Sequence, residues 1–288
     1  MIISRQEKWF QYANYTLLLV IGLGALFPFL YIVSVSLTPT SVVDRYGGFL
    51  IFPRQITFAA YQQVFTNSAI PRSLLNSLFI TGAGTLLSLL VTAVMGFGLA
   101  KQGVPGRSVY LFLVVFTILF SGGIIPTYLV VKDVGLLNSL WSLIIPTLIN
   151  PFNLLIFKTF FQQLPKELED AAVIDGSSEL GIFVRITLPL SVAVLLTIGL
   201  FYAVFYWNVY FHAILYLTDA ERYPLQVALR QLLMQPDPTV LDMSSDYEVP
   251  AETMKMAGVV VSTLPIVLAY PFVQKYFMKG ATLGAVKG

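Results

Sequence analysis

Seven stretches of 17 or more residues in this 288-residue sequence contain no Asp, Glu, Lys or Arg: 9–43, 55–71, 73–100, 108–131, 134–157, 186–218 and 256–274. A helix that crosses the hydrocarbon core of a bilayer needs roughly 20 mostly apolar residues, because an ionised side chain is costly there. Six of the stretches meet that requirement. They predict an all-α membrane protein with six transmembrane helices, at about 15–37, 74–100, 109–131, 135–157, 190–214 and 256–275. The seventh, 55–71, carries Gln55, Gln62, Gln63, Asn67 and Ser68 and reads as a short amphipathic surface element. Its apolar residues Phe58, Tyr61, Val64 and Phe65 recur at helical spacing. The first segment has only Arg5 and Lys8 ahead of it as basic residues and no small-residue cleavage site, so it reads as a retained helix.

Composition narrows the chemistry. Charged residues make up 11% of the chain, against about 25% in a soluble domain. A net charge of +2 is too small to point to nucleic acid. Cysteine is absent and His212 is the one histidine, which removes disulfides, thiolate chemistry and histidine-rich metal sites. Basic residues set the orientation. With both termini in the cytoplasm, the inner segments hold ten basic and six acidic residues, and the outer segments hold seven and nine. The inverted arrangement violates the positive-inside bias.

One membrane domain, 1–288, accounts for the whole chain. Residues 38–73 and 218–255 form polar outer loops, and 101–107 (KQGVPGR) a tight inner turn flanked by Lys101 and Arg107. The long inner loop 165–189 reads PKELEDAAVIDGSSELGIFVRITLP. Pro165 suits a first helical position, and Glu167, Glu169 and Asp170 suit the positive end of the helix dipole. Leu168, Ala171 and Ala172 share a small apolar face. Gly176 is the natural stop, since it accepts positive φ. Ser177 can then cap a second helix carrying Leu180, Phe183, Val184 and Leu188 up to Pro189. The product is a helix–glycine–helix elbow. Its spacing fits either a helix lying on the membrane surface or a foot that drops into a groove on another protein. Surface helices usually show a basic polar face, and this one is mostly acidic, which favours a protein partner.

The same loop resembles the EAA loop of ABC importer permeases. That pattern is EAA, three residues, Gly, nine residues, Ile, one residue, Leu-Pro. Here it stands as Asp170-Ala171-Ala172, Gly176, Ile186, Leu188-Pro189, with every spacing kept and Asp170, preceded by Glu169, replacing the opening Glu. Asn76-Ser77, Trp207-Asn208, the segment GGIIPTYLVVKDVGLLNSLWSLIIP at 122–146 and the ending QKYFMKGATLGAVKG at 274–288 resemble the carbohydrate-uptake branch, the MalG/LplC-like permeases. The resemblance implies an ABC importer type I permease fold with cytoplasmic termini, in a bacterial cell membrane. It implies a heterodimer with a sister permease, two cytoplasmic ATPase subunits gripped through the EAA foot, and an extracellular or periplasmic sugar-binding protein that delivers an oligosaccharide. Glu169, Asp170, Ala171, Ala172, Gly176, Ile186, Leu188 and Pro189 are the coupling residues this reading assigns.

The residues agree that energy arrives from another chain. No G-x-x-x-x-G-K-[ST] phosphate loop is present. GAGTLLS at 82–88 reads as small-residue helix packing, and GATLGAVKG at 280–288 as a terminal tail. No cofactor is expected on this chain, with ATP and magnesium on the partner ATPase. Charge-free segments also speak against an ion-coupled carrier, and His212 reads as a hydrogen-bonded side chain near the outer end of the fifth. With no H-E-x-x-H or G-x-S-x-G and no catalytic residue to name, an enzyme has no support. A sugar path needs hydroxyl-pairing groups and aromatic faces. Candidates are Asn150, Asn153, Tyr206, Trp207, Asn208 and Tyr210. The asparagines serve equally as interhelical hydrogen bonders, and Trp207 and Tyr210 equally as an interfacial belt. Asn150, Pro151 and Asn153 are expected to break the fourth segment near its cytoplasmic half.

Overall fold

The computed structural model describes residues 5–47, 50–66, 68–234 and 252–285, with side chains described from position 8 to 269 within these ranges and at 271. Much of the 218–255 loop, including Pro236, Pro238 and Pro250, lies outside the described residues, as do the side chains of the 274–288 ending. Every regular element among the described residues is helical. In chain order they are α1 (Arg5–Ser36), α2 (Thr40–Arg45), α3 (Ala59–Thr66), α4 (Ile70–Ala100), α5 (Arg107–Leu119) and α6 (Ile124–Asp133). Two 3₁₀ turns (Leu140–Leu143, Ile145–Thr147) precede α7 (Pro151–Gln162) and α8 (Lys166–Ile174). Next come α9 (Glu179–Ile182), a π turn (Phe183–Thr187), α10 (Leu188–Leu190), α11 (Val192–Trp207) and α12 (Phe211–Tyr216). A further 3₁₀ turn (Ala220–Arg222) leads to α13 (Leu225–Met234) and α14 (Glu252–Ala285).

Three helical stretches, Lys8–Ser36, Ile70–Ala100 and Glu252–Ala269, are long and apolar enough to cross a bilayer unbroken. The other three expected spans are each two helices meeting at an angle. Residues 109–131 were expected to be one span; instead α5 and α6 meet at 118°. The cause is Gly123, at φ 87°, ψ 171°, a conformation open essentially to glycine. Each arm is short: α5 has 13 residues, about 20 Å at 1.5 Å per residue. The 135–157 span is a 3₁₀ stretch and α7 joined at 48°. The break falls at Asn150 as expected, because its side chain caps α7 and Pro151 cannot donate to the preceding turn. The helix runs to Gln162, past the expected end. The elbow's second helix meets α11 at 84°, across Ser191. The fifth span then breaks again between Trp207 and Phe211, short of position 214.

The chain forms two compact units. The first comprises residues 1–71 and 228–265. Val35, Val43 and Leu50 form its core with Tyr31 and Met256 against them. Polar ties join the end of α1 to its neighbours: Ser36 Oγ and Tyr61 Oη pair at 2.8 Å, and Tyr31 Oη donates to Glu252 at 3.1 Å. The short helix expected at 55–71 is α3, but its inward face is Ala60 and Val64, with Tyr61 half-buried; Phe58 and Phe65 point outward.

The second unit comprises residues 72–227 and 266–288. Its core is a seam between α4 and α11. Gly84 lets the Tyr206 ring lie flat on α4, Gly199 admits Leu89, and Gly96 lies against Phe157. The tyrosine hydroxyls need partners in an apolar surround. Tyr206 pairs with Ser88 at 2.9 Å, and Tyr202 with Thr92 at 2.8 Å. The small-residue run 82–88 therefore does pack a helix. Near the N-terminal end of α4, Asn76 donates to the carbonyls of Glu221 and Tyr223, and Ser77 accepts from the Leu225 amide.

A Cβ at Gly84 would sit 2.8 Å from three atoms of the Tyr206 ring, whereas one at Gly82 meets nothing within 4 Å. Gly84→Leu is expected to cost about 1–3 kcal/mol through overpacking. Gly82→Leu is expected to cost little. Thermal unfolding of both variants in detergent reads the contrast; equal effects refute the seam.

Candidate functional site

The elbow is built from strictly local chemistry. Pro165, expected at the first helical position, is instead the N-cap of α8, with φ −58° and ψ 124°, and the helix starts at Lys166. Glu167 and Glu169 fall in the first turn, where the helix dipole favours them. At the other end Gly176 adopts φ 79°. Its amide donates to the Val173 carbonyl at 3.0 Å, and the Ser177 amide donates to Ala172 at 2.9 Å. That pair of bonds is a Schellman stop, and it requires the left-handed residue that glycine supplies. The cap of α9 is Ser178 rather than Ser177: its Oγ accepts from the Gly181 amide at 3.2 Å.

The expected apolar face divides. Ala172 turns inward and is buried, as are Ile182 and Phe183 behind it. Leu168, Ala171 and Asp170 face outward. Around the bend Val173, Ile174, Leu180 and Val184 are also exposed, Ile174 to 85%. Ile186 is half-buried beside a cavity of about 220 Å³ that Glu169 and Asp170 also line. Leu188 packs on the core, and Pro189 is exposed at the bend into α11.

Lys101 organises this region, although the sequence marked it only as the flank of a turn. Its ammonium forms ion pairs with Glu169 of α8 and, at 2.7 Å, with Glu179 of α9. It also lies 4.7 Å from the centre of the Phe97 ring. One cation just beyond the end of α4 thus grips both arms of the elbow. Gln162 donates to the Ala100 carbonyl at 3.2 Å and Arg107 to Leu99 at 2.8 Å, completing the frame. Burial by itself lowers the Lys101 pKa. Hydrogen bonds and charge attraction from Glu169 and Glu179 outweigh it, so the net shift is upward from 10.5. No periodicity connects residues 101, 169 and 179, so only the fold could reveal the cluster.

The candidate path residues separate into two groups. Asn150 and Asn153 come together at a cavity of about 490 Å³ beside the break before α7, with Thr147, Phe201, Tyr202 and Phe205 among its other walls. Asn150 Oδ1 accepts from the Phe152 and Asn153 amides at 3.0 and 3.2 Å, so it is a helix cap first. The Asn150 amide donates to Tyr202 Oη at 3.0 Å. Tyr202 went unnoticed in the sequence although it lies one turn before Tyr206. Tyr206, Trp207, Asn208 and Tyr210 lie off this cavity. Tyr206 is fully buried, and its hydroxyl also meets Thr147 and the Ile144 carbonyl. Trp207 is buried, and its indole N–H has no acceptor among the described residues. Asn208 ends α11, donating to the Val204 carbonyl at 2.8 Å, and Tyr210 is half-buried ahead of α12.

Because the Lys101 pKa is raised on folding, its stabilisation is complete below the ordinary lysine value and disappears only as pH climbs through the raised one. Hydrogen exchange of the amides from Lys166 to Ile182 is expected to show pH-independent protection through the neutral range. Lys101→Met is expected to lower that protection several-fold. Unchanged exchange in Lys101→Met removes the clamp.

With this geometry in place, comparison with known proteins gives a consistent result. Residues 84–282 match the family described as "Binding-protein-dependent transport system inner membrane component". A polygalacturonan/rhamnogalacturonan transport system permease protein, YtcP, of Bacillus subtilis is 47% identical, over 98% of this chain and 100% of its own. Protein LplC of the same organism is 49% identical, over 99% and 97%. A crystal structure of a bacterial ABC transporter involved in importing the acidic polysaccharide alginate contains a chain that superposes with a TM-score of 0.88. That chain is 32% identical, and the match covers 96% of this chain and 99% of that one. A transport permease rather than an enzyme, the chain belongs to the binding-protein-dependent transport system inner membrane components.

Proposed function

We propose that this chain is one permease subunit of an ATP-driven, binding-protein-dependent importer of oligosaccharides. It pairs with a sister permease to enclose the translocation path and receives its drive from two cytoplasmic ATPase subunits. It crosses a bacterial inner membrane six times with both termini in the cytoplasm; the three long helices and three bent pairs support that count, and the basic bias of the inner segments supports the orientation. ATP and magnesium belong to the ATPase, since the chain has no phosphate loop. Fragments of acidic polysaccharides are the first substrates to test, given the names of the relatives.

The elbow carries this reading. Its tip presents Leu168, Val173, Ile174 and Leu180 to the surroundings, on an arm whose glycine stop and lysine clamp fix its shape. Exposed apolar residues on a rigid, acidic-rimmed foot suit a groove in a protein partner. Ala172 contributes by packing the foot inward, so a bulky residue there deforms the elbow from within.

Ile174→Asp separates docking from folding, because Ile174 is 85% exposed and makes little internal contact. The variant is expected to assemble normally with its sister permease but to bind the ATPase about 30-fold more weakly, the loss of a hot spot worth roughly 2 kcal/mol. Gly176→Asp and Ala172→Leu are expected to leave ATP hydrolysis running while uptake falls. Reconstituted vesicles containing sister permease, ATPase and binding protein read both quantities. Uptake that proceeds without the ATPase rules out the importer reading; full coupling in all three variants rules out the foot.

A further inference from the structure

We propose that the cavity beside the Asn150 break is a sugar subsite that holds one ring by its faces and hydroxyls, through Asn153 and the surrounding phenylalanines, with no charged contact. The inference rests on the importer reading and specifies what part of the substrate this chain touches.

Three observations converge on the cavity. First, the helix is broken between Thr147 and Pro151, in a segment long and apolar enough for a bilayer. Irregular backbone at that depth is tolerated where it is buried in protein or lines water. Ile149 and Asn150 are exposed at the cavity wall, and a water-filled path there is what the importer reading requires. Second, Asn153 is only 5% exposed and lines the cavity. A carboxamide offers two donors and an acceptor, which matches neighbouring hydroxyls on a sugar ring. Third, Phe152, Phe201 and Phe205 line the same space and are 62%, 39% and 41% exposed. Flat aromatic faces suit the C–H faces of a sugar, and the volume of about 490 Å³ suits a small-molecule site.

The walls also say what the subsite does not read. None of its lining residues is Asp, Glu, Lys, Arg or His. The first turn of α7 offers no spare N–H to an anion either. Pro151 has none, the Phe152 and Asn153 amides donate to Asn150 Oδ1, and the Leu154 amide donates to the Asn150 carbonyl. A ring carboxylate placed here would give up water and meet no cationic partner among the lining residues. Any acid group on the substrate therefore points out of this cavity, and recognition here follows hydroxyl pattern and ring face.

The absence of cysteine makes the test direct. Asn153→Cys places a single thiol in the chain, to be assembled with cysteine-free partners in vesicles and exposed to a water-soluble methanethiosulfonate. Leu154→Cys, at a fully buried neighbour, is the control expected to stay unlabelled. The probes are trisaccharides of galactose and of galacturonic acid, which differ in the ring carboxylates. The proposal expects Asn153→Cys to label, and labelling to slow several-fold with the galactose trisaccharide, whether or not the acid form does the same. No labelling, labelling that neither sugar slows, or slowing by the acid form alone overturns it. Phe205→Cys, on the opposite wall and partly exposed, gives the same reading if Asn153→Cys does not assemble. ATP dependence of uptake is measured in the same vesicles, so failure of the importer reading is seen apart from failure of the subsite.

Discussion

Two tyrosine hydroxyls in an apolar interior organise most of the second unit. A buried hydroxyl without a partner is expensive, and here each one is answered by more than one neighbour. Tyr206 meets Ser88 across the seam and touches Thr147 and the Ile144 carbonyl; Tyr202 meets Thr92 and accepts the Asn150 amide. These bonds reach from α11 to α4 on one side and to the broken segment ahead of α7 on the other. Gly84 serves the same contact, because a Cβ there would strike the Tyr206 ring at 2.8 Å, while Gly199 makes room for the end of Leu89 beside it. An interruption in a membrane helix is ordinarily a liability. Here the tyrosines hold it open in a fixed shape, with Asn150 closing off the first turn of α7.

At the other end of the same two helices the problem is mechanical. The elbow is small, and α9 has only four residues. Helices this short hold their shape through tertiary contacts and caps rather than propensity. The Schellman bonds at Gly176, the Ser178 cap and the Lys101 ion pairs supply those contacts, and each acts on a different joint. A single cation serving two carboxylates also ties α8 and α9 to each other, so the arms cannot open without releasing one of them.

Much of this was legible in the chain because it is written in local chemistry. Charge-free runs located the helical segments, proline and asparagine located the break at 150, and glycine located the stop at 176. What stayed hidden depends on distance in space. Phe58 and Phe65 share the period of Val64, but the periodicity could not say that the buried stripe runs through Ala60. Gly122-Gly123 sits inside an apolar run, and hydropathy counts it as membrane without registering a 118° turn. Ala171 and Ala172 are adjacent and chemically identical; only the fold turns one in and the other out. Lys101, Glu169 and Glu179 meet through three separate elements. Asn150, Asn153, Trp207 and Asn208 stood out alike in the sequence; only the fold brings the first two to one cavity and sets the other two off it.

The angle between the elbow and α11 has a further meaning. Two rods joined end to end in line transmit a push as a push. Joined at 84°, they have the form of a crank: a displacement of the elbow along its own axis would move the base of α11 sideways, about its anchorage near Tyr202 and Tyr206. Under the importer reading proposed above, a small travel of the elbow would be exchanged for rotation of α11, with the tyrosine seam as the bearing on which that rotation turns.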